Sequence, residues 1–316
     1  MPATESQLAS AVLMIRPARF ESNPLTAASN AFQGRTCATP REQHQAALRE
    51  FDGLVEALRS AHIKVVVVQD TPEPHTPDSI FPNNWVSFHS DGRVVLYPME
   101  AANRRTERRA DIIDSLSGEY GFQVSEILDL SGHENAGHYL EGTGSMVLDR
   151  SNRIAYACLS SRTQLGPLGD FAQRMDYDLV SFDAVDRKGV PIYHTNVVMN
   201  VGEALAVVCA YAIPDESQRA AVLARLRNTG HEILLITYDQ LEAFAGNMLE
   251  LRNSDSERVV AMSTRAWNSL DAAQHEVLRA NGRVVHAAID NIEDSAGGSV
   301  RCMLAEIHLP ASRRGA

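Results

Sequence analysis

One order of segments recurs down this chain: two short apolar runs, an amphipathic stretch, then a third apolar run. The first copy has "NNWVSFH" and "VVLY" around 83–88 and 94–97, split by a Ser90-Asp91-Gly92 turn, then "NRRTERRADIIDSLSGEYG" and "FQVSEI". The β-branched and alternating runs read as strands and the longer stretch as a helix, which makes a ββαβ unit. A second unit has strands at 143–149 and 153–159, a short helix near 166–175 and the strand "DLVSFD". A third has strands at 195–201 and 204–210, the helix "DESQRAAVLARLRNTG" and the strand "EILLIT". The fourth runs "NMLEL", "ERVVAMS", "TRAWNSLDAAQHEVLRANG", "RVVHAAI". The ends supply the remaining pieces: a C-terminal strand "CMLAEIHL", an N-terminal strand "AVLMIR", a helix over 40–61 and the run "IKVVVV". That helix has the best-marked start, with Thr39 and Glu42 spaced as a capping box around Pro40, and Ala47, Leu48, Phe51, Leu54, Val55 and Leu58 on one stripe.

Joined across the termini, the end pieces make a fifth unit. Five units of roughly 50–65 residues that cannot bury their faces alone imply a cyclic array. The expected fold is therefore α/β, a five-fold pseudosymmetric α/β propeller of ββαβ units closed by pairing the N- and C-terminal strands. One closed domain then spans 1–316. A doubly wound sheet needs parallel crossovers rather than a hairpin opening each unit. No G-x-G-x-x-G follows a strand and no P-loop is present, so a nucleotide site has no support.

Composition narrows the function classes. With 44% hydrophobic and 22% charged residues the chain reads as soluble and globular, and its net charge of −11 offers no footprint for nucleic acid. No apolar run spans a bilayer and the N-terminus does not read as a signal peptide, so the expected location is the cytoplasm, with no membrane partner. Cys37, Cys158, Cys209 and Cys302 are widely spaced, which argues against a disulfide framework or a zinc site. In "GHENAGHYLEG", His133, Glu134 and His138 fall short of H-E-x-x-H, and no metal is expected.

The repeat singles out five positions. Asn84, Glu141, His194, Asn247 and Cys302 each fall at or just before the first strand of a unit, so a cyclic array turns them toward one central pocket. Taken alone, Cys302 is a packed thiol, His194 a core histidine and Glu141 a turn residue. Taken together they are a nucleophile, a general acid and base, and a carboxylate that orients the histidine or holds a cationic substrate. Cys37, just before a helix N-terminus, is the competing nucleophile. Cys158 and Cys209 lie within apolar second strands and read as core.

The stretches "FPNNWVSFH", "YLEGTGSMVLDR", "YHTNVVMNVG", "NMLEL" and "SVRCMLAEIHLP", in this order, resemble the guanidino-group-modifying enzymes, whose α/β propeller has five pseudo-repeats. That superfamily holds arginine deiminases, dimethylarginine hydrolases and amidinotransferases. With "MIRPARFESNP" and "ANRRTERR" the resemblance is closest to the citrulline-utilisation hydrolases and covers nearly the full chain. It implies Cys302 as nucleophile, His194 as general acid/base and Glu141 as acidic partner, with no metal or organic cofactor. Relatives that take a guanidinium usually carry an aspartate where this chain has Asn84. An amide, both donor and acceptor, suits a neutral ureido group. The expected reaction is hydrolysis of citrulline to ornithine, carbon dioxide and ammonia. Arginine dihydrolase, arginine deiminase and dimethylarginine hydrolase are the near alternatives, and an amidinotransferase or an inert amino-acid-binding propeller the distant ones. Asn23 is a second candidate amide, Asp78 a candidate for the substrate's α-amino group and Arg105 for its α-carboxylate, with Asn247 completing the binding set. The expected partner is a small arginine-like amino acid, and a homodimer stays open.

Overall fold

A computed structural model describes residues 5–27, 29–34 and 38–312. Its strands in chain order are β1 (Ala11–Arg16), β2 (Lys64–Gln69), β3 (Val86–Phe88), β4 (Arg93–Leu96), β5 (Glu126–Asp129), β6 (Val147–Asp149), β7 (Ile154–Cys158), β8 (Asp178–Phe182), β9 (Met199–Val201), β10 (Leu205–Val208), β11 (Glu232–Leu235), β12 (Leu249–Arg252), β13 (Arg258–Ser263), β14 (Arg283–Ala287) and β15 (Ala305–Ile307). They form five three-stranded sheets: β3-β4-β5, β6-β7-β8, β9-β10-β11, β12-β13-β14 and β15-β1-β2. In each, the middle strand is antiparallel to the first and parallel to the third. A hairpin makes the first pairing within four of the sheets, and a helical crossover makes the second in all five. In the fifth sheet Ala11 faces Ile307 and Leu13 faces Ala305, so the two ends of the chain are strand partners, as the repeat required.

The helix Pro40–Ser60 begins as read. Thr39 Oγ1 accepts from the Glu42 amide, and the Glu42 carboxylate accepts from the Thr39 amide in return. Ala47, Phe51, Leu54, Val55 and Leu58 are buried against β-strand side chains that include Val12, Val65 and Val285, each large apolar group adding on the order of 2 kcal/mol.

Several boundaries differ from the sequence reading, and the differences shape the site. The first strands expected from 83, 143, 195 and 302 begin later, because one helical turn precedes each: Pro82–Asn84, Gly142–Ser145, Thr195–Val198 and Val300–Met303. The expected helix over 103–121 is two pieces, Ala102–Glu107 and Ala110–Gly118, since Arg108 leaves helical geometry and sends its guanidinium to Glu134 and the Tyr97 carbonyl. The one expected over 264–282 breaks where Asp271 caps a second helix, Ala272–Asn281. Cys158 and Cys209 are buried in the core, and Cys37 lies outside the described residues. Among the described residues no helix is long and apolar enough to cross a membrane.

Candidate active site

The helical turns before the first strands pack on one another: Gly142–Ser145 touches both Pro82–Asn84 and Thr195–Val198, and Pro82–Asn84 touches Val300–Met303. Beside them is a pocket on which Asp78, Asn84, Arg104, Arg162, Tyr193, His194 and Cys302 all lie, Asn84 and Cys302 coming from the turns themselves. Three residues expected in one place from the repeat, Asn84, His194 and Cys302, thus share one pocket.

Glu141 is the residue just before its turn and is fully buried. Its Oε1 accepts from the Glu100 amide at 3.1 Å and its Oε2 from His194 Nε2 at 2.9 Å, with Arg162 at 3.5 Å and Arg104 at 3.8 Å. Burial raises its pKa, but Arg162, the His194 hydrogen bond and Arg104 outweigh that and hold the carboxyl well below its usual range. An ionised Glu141 can only accept, so His194 Nε2 carries a proton. Burial drives the His194 pKa down to about 4, against the pull of Glu141, so the ring is neutral and Nδ1 holds a lone pair. A Cβ on Gly144 would sit 2.7 Å from that Nδ1 and 2.5 Å from Asn84 Nδ2, so the glycine lets the imidazole and the amide converge.

Asn84 Oδ1 accepts from Arg104 Nη1 at 2.9 Å, and its Nδ2 spends one hydrogen on Asn83 Oδ1 at 3.1 Å. Arg104, buried, also forms a bidentate pair with Glu107 at 2.9 Å through each nitrogen and lies 3.7 Å from Asp78. Burial lifts the Glu107 carboxyl up to about 7 although Arg104 pulls it the other way. Arg162 donates to Ser29 Oγ at 2.8 Å and to the Thr26 carbonyl at 3.1 Å, and lies over the Tyr193 ring, 4.9 Å from its centroid.

Other expected residues stand elsewhere. Arg105 is off the pocket wall, with its guanidinium 3.4 Å from Glu134 and donating to the Met99 and Glu100 carbonyls, because consecutive residues of the tight 102–107 turn face different ways. Its neighbour Arg104 takes the inward position. Asn23 is a layer behind the wall: its Nδ2 donates to Asp78 Oδ2 at 2.7 Å and its Oδ1 accepts from Asn103 and the Leu25 amide. It orients Asp78. Asn247 lies against the thiol, its Nδ2 3.3 Å from Cys302 Sγ. The sequence reading missed Arg162, Tyr193 and Asn196. Asn196 stood two residues past His194 in a quoted motif, whereas Arg162 sits in "SSRTQ", between strand and helix, with no pattern to mark it. Of the two glycines before Cys302, Gly297 takes φ +67° where a Cβ would meet Asn30 and the Gln33 amide, and Gly298 lies on the pocket wall. Glu134 and His133, weighed for a metal, are engaged by Arg108 and Asp170.

A protein-family model described as N,N dimethylarginine dimethylhydrolase, eukaryotic, matches residues 16–309. The chain belongs to that family. The dimethylarginine dimethylhydrolase family lies within the guanidino-group-modifying superfamily. No curated protein matches the chain. Among solved structures, it is similar to apo ArgZ, an arginine dihydrolase from the ornithine–ammonia cycle in cyanobacteria: TM-score 0.73, 17% identity, 96% of this chain and 41% of ArgZ covered. It thus spans about two fifths of full-length ArgZ. Against the N-terminal domain of ArgZ alone, in a cysteine-to-serine variant bound to substrate, the values are 0.70 and 17%, with 93% of this chain and 96% of that one covered. A dimethylarginine dimethylaminohydrolase variant holding an S-methyl-L-thiocitrulline adduct gives 0.63 and 13%, over 94% and 99%. At these identities the likeness is one of fold.

Proposed function

We propose that the protein hydrolyses the ureido group of citrulline, taking citrulline and water to ornithine, carbon dioxide and ammonia, with Cys302 as nucleophile, His194 as general acid and base, and Glu141 holding His194. The observation that carries the substrate choice is the polarity of Asn84. Its oxygen already accepts from Arg104, and its Nδ2 keeps one N–H beyond the one given to Asn83, beside His194 Nδ1. That donor matches a ureido carbonyl oxygen. A guanidinium, which has only donors, would meet a donor there.

The chemistry follows from the proton positions. The Cys302 thiol gives its proton to His194 Nδ1, and the thiolate forms a bond to the ureido carbon as the C=O electron pair moves to oxygen. Collapse breaks the bond to the terminal nitrogen, which leaves as ammonia with the proton from His194. Water then loses a proton to Nδ1 and attacks the thiocarbamate carbon. The C–S bond breaks, the sulfur departs as thiolate, and the carbamate of ornithine falls apart to ornithine and carbon dioxide. Asp78 holds the α-amino group and Arg162, rather than Arg105, is the cation for the α-carboxylate, Arg104 being spent on Asn84 and Glu107. In this reading the five sheets are blades of one closed propeller, and the whole chain is one catalytic domain. Contacts of β15 with β3, β6 with β9, and β9 with β12 support it.

A second reading is favoured by the likeness to ArgZ and by the carboxylates of Asp78 and Glu141 near the pocket: arginine and two waters are taken through a ureide to ornithine, carbon dioxide and two ammonia. Ornithine and ammonia are therefore measured from citrulline and arginine, and citrulline and dimethylamine from dimethylarginine, with wild type and Cys302→Ala. Citrulline turnover that vanishes in the alanine variant is expected. No turnover of any of the three would overturn the hydrolase reading, activity in Cys302→Ala would remove the nucleophile, and arginine turnover with two ammonia per ornithine would favour the second reading.

A further inference from the structure

Cys302 is 3% exposed and its sulfur faces two carboxamides from two other units of the repeat. Asn196 Nδ2 lies 3.4 Å from Sγ and Asn247 Nδ2 lies 3.3 Å from it. The orientation of Asn247 is set by its surroundings: Nδ2 also donates to the Asn196 carbonyl at 2.9 Å, a group that can only accept, so the nitrogen and not the oxygen must face that side. One of its hydrogens is spent there and the other is aimed at sulfur. Its Oδ1, 3.7 Å from Sγ, is placed to accept from the thiol while the proton is still on. Asn196 completes the cradle: its Oδ1 is buried and, among the described residues, has no hydrogen-bond partner, so the amide's polar contact among them is the one to sulfur.

We propose that Asn196 and Asn247 are catalytic residues that stabilise the Cys302 thiolate by donating one N–H each to its sulfur. The need for them follows from the site. A buried anion requires compensation, and the partner usually invoked, an imidazolium, is missing from the resting enzyme, because burial keeps His194 neutral. Hydrogen bonds to an ionised acceptor are about twice as strong as those between neutral groups, so two amide donors favour thiolate over thiol. Asn247 is suited to both states, accepting from S–H through Oδ1 and donating to S⁻ through Nδ2. The charged and titratable groups sharing the pocket with Cys302 are Asp78, Arg104, Arg162, Tyr193 and His194, with Glu141 behind His194 and the Arg301–Glu306 pair on the thiol's own segment.

The inference rests on Cys302 being the nucleophile, and its test separates the two by using no substrate. The rate of iodoacetamide alkylation of Cys302 is followed against pH by peptide mass spectrometry, which keeps Cys37 apart. Cys158 and Cys209, which burial pushes up to about 12 and about 11, lie in the core. Asn247→Leu and Asn196→Ala are each expected to move the alkylation midpoint upward by about one pH unit, about tenfold less thiolate at a given lower pH. Asn247→Asp, near in shape but with a carboxylate facing the sulfur, is expected to move it further up, and serves if the leucine variant fails to fold. Midpoints unchanged from wild type in variants that melt as cooperatively as the parent would overturn the cradle, since a structural role would leave the midpoint where it is. Midpoint shifts as expected together with no citrulline turnover by the wild-type enzyme would count against the hydrolase reading alone.

Discussion

Burial pushes His194 down to about 4, further than its hydrogen bond to Glu141 can lift it, so the free enzyme carries a neutral base at neutral pH. The acid limb of kcat/KM for citrulline is expected near that value and not near the ordinary 6.5. A limb near 6.5 would mean that the imidazole is exposed to water. The same shift acts on stability. Between about 6.5 and about 4 the unfolded chain holds a proton on this ring that the folded chain does not, so its contribution is complete above that window and is lost as pH falls through it. Glu107, lifted up to about 7 by burial, acts in reverse: its contribution is complete below its ordinary 4.5 and is lost as pH rises toward 7. In melting experiments His194→Gln should therefore lose less Tm between pH 6.5 and 4 than wild type does. At Asn84 a carboxylate would remain ionised against Arg104 and replace a donor with an acceptor. Asn84→Asp is expected to lower citrulline kcat/KM by about 10- to 100-fold, on the order of 1.4–3 kcal/mol, and to favour a cationic guanidine. Unchanged citrulline kinetics would remove Asn84 from substrate choice.

At the scale of elements, the helical turns before the first strands place the chemistry, and these were hidden in the sequence. A turn such as Gly142–Ser145 is too short to leave a 3.6-residue period, and "GTGS" and "VRCM" read as strand entries or loop. The strands beyond them were legible because runs such as "RIAYACL" and "ERVVAMS" are short, apolar and bounded by turn residues. Which arginine of "NRRTERR" faces inward was not legible, since that depends on Arg108 leaving the helix for Glu134, a partner from a distant segment. Arg162 was invisible for the same kind of reason. Two substitutions separate site from scaffold. Gly144→Ala forces a methyl between Asn84 Nδ2 and His194 Nδ1 and is expected to abolish most activity. Thr39→Ala removes only the cap of the Pro40–Ser60 helix and is expected to cost about 1 kcal/mol of stability with turnover unchanged. Full activity in Gly144→Ala would show that the amide and the imidazole need not meet there.

Across the whole molecule, the N-terminal segment ties units together. Glu5 is buried, accepting from Arg150 at 3.0 Å, Arg153 at 3.2 Å, Tyr177 at 3.2 Å and the Ser90 amide at 3.3 Å, while Arg150 also lies 3.8 Å from Glu306 of the last strand. Residues of the first, second and fifth units thus meet on one carboxylate. Glu5→Ala leaves a buried guanidinium short of its nearest anion and is expected to cost about 3–5 kcal/mol in urea unfolding, and a loss under about 1 kcal/mol would contradict this bracing. The five-fold order of segments was readable because it repeats, and the pairing of the termini followed from it. The Glu5 network was not readable, because its members are scattered over some 300 positions of chain with no shared motif. The central claim is that Cys302 forms a covalent bond to the ureido carbon. Its most direct test is acid quench of the enzyme during citrulline turnover, followed by peptide mass spectrometry. An adduct on the Cys302 peptide with the mass of citrulline less ammonia, absent in Cys302→Ala, is the predicted result. Ornithine formation with no adduct on that peptide at any quench time, or an adduct on another cysteine, would contradict it.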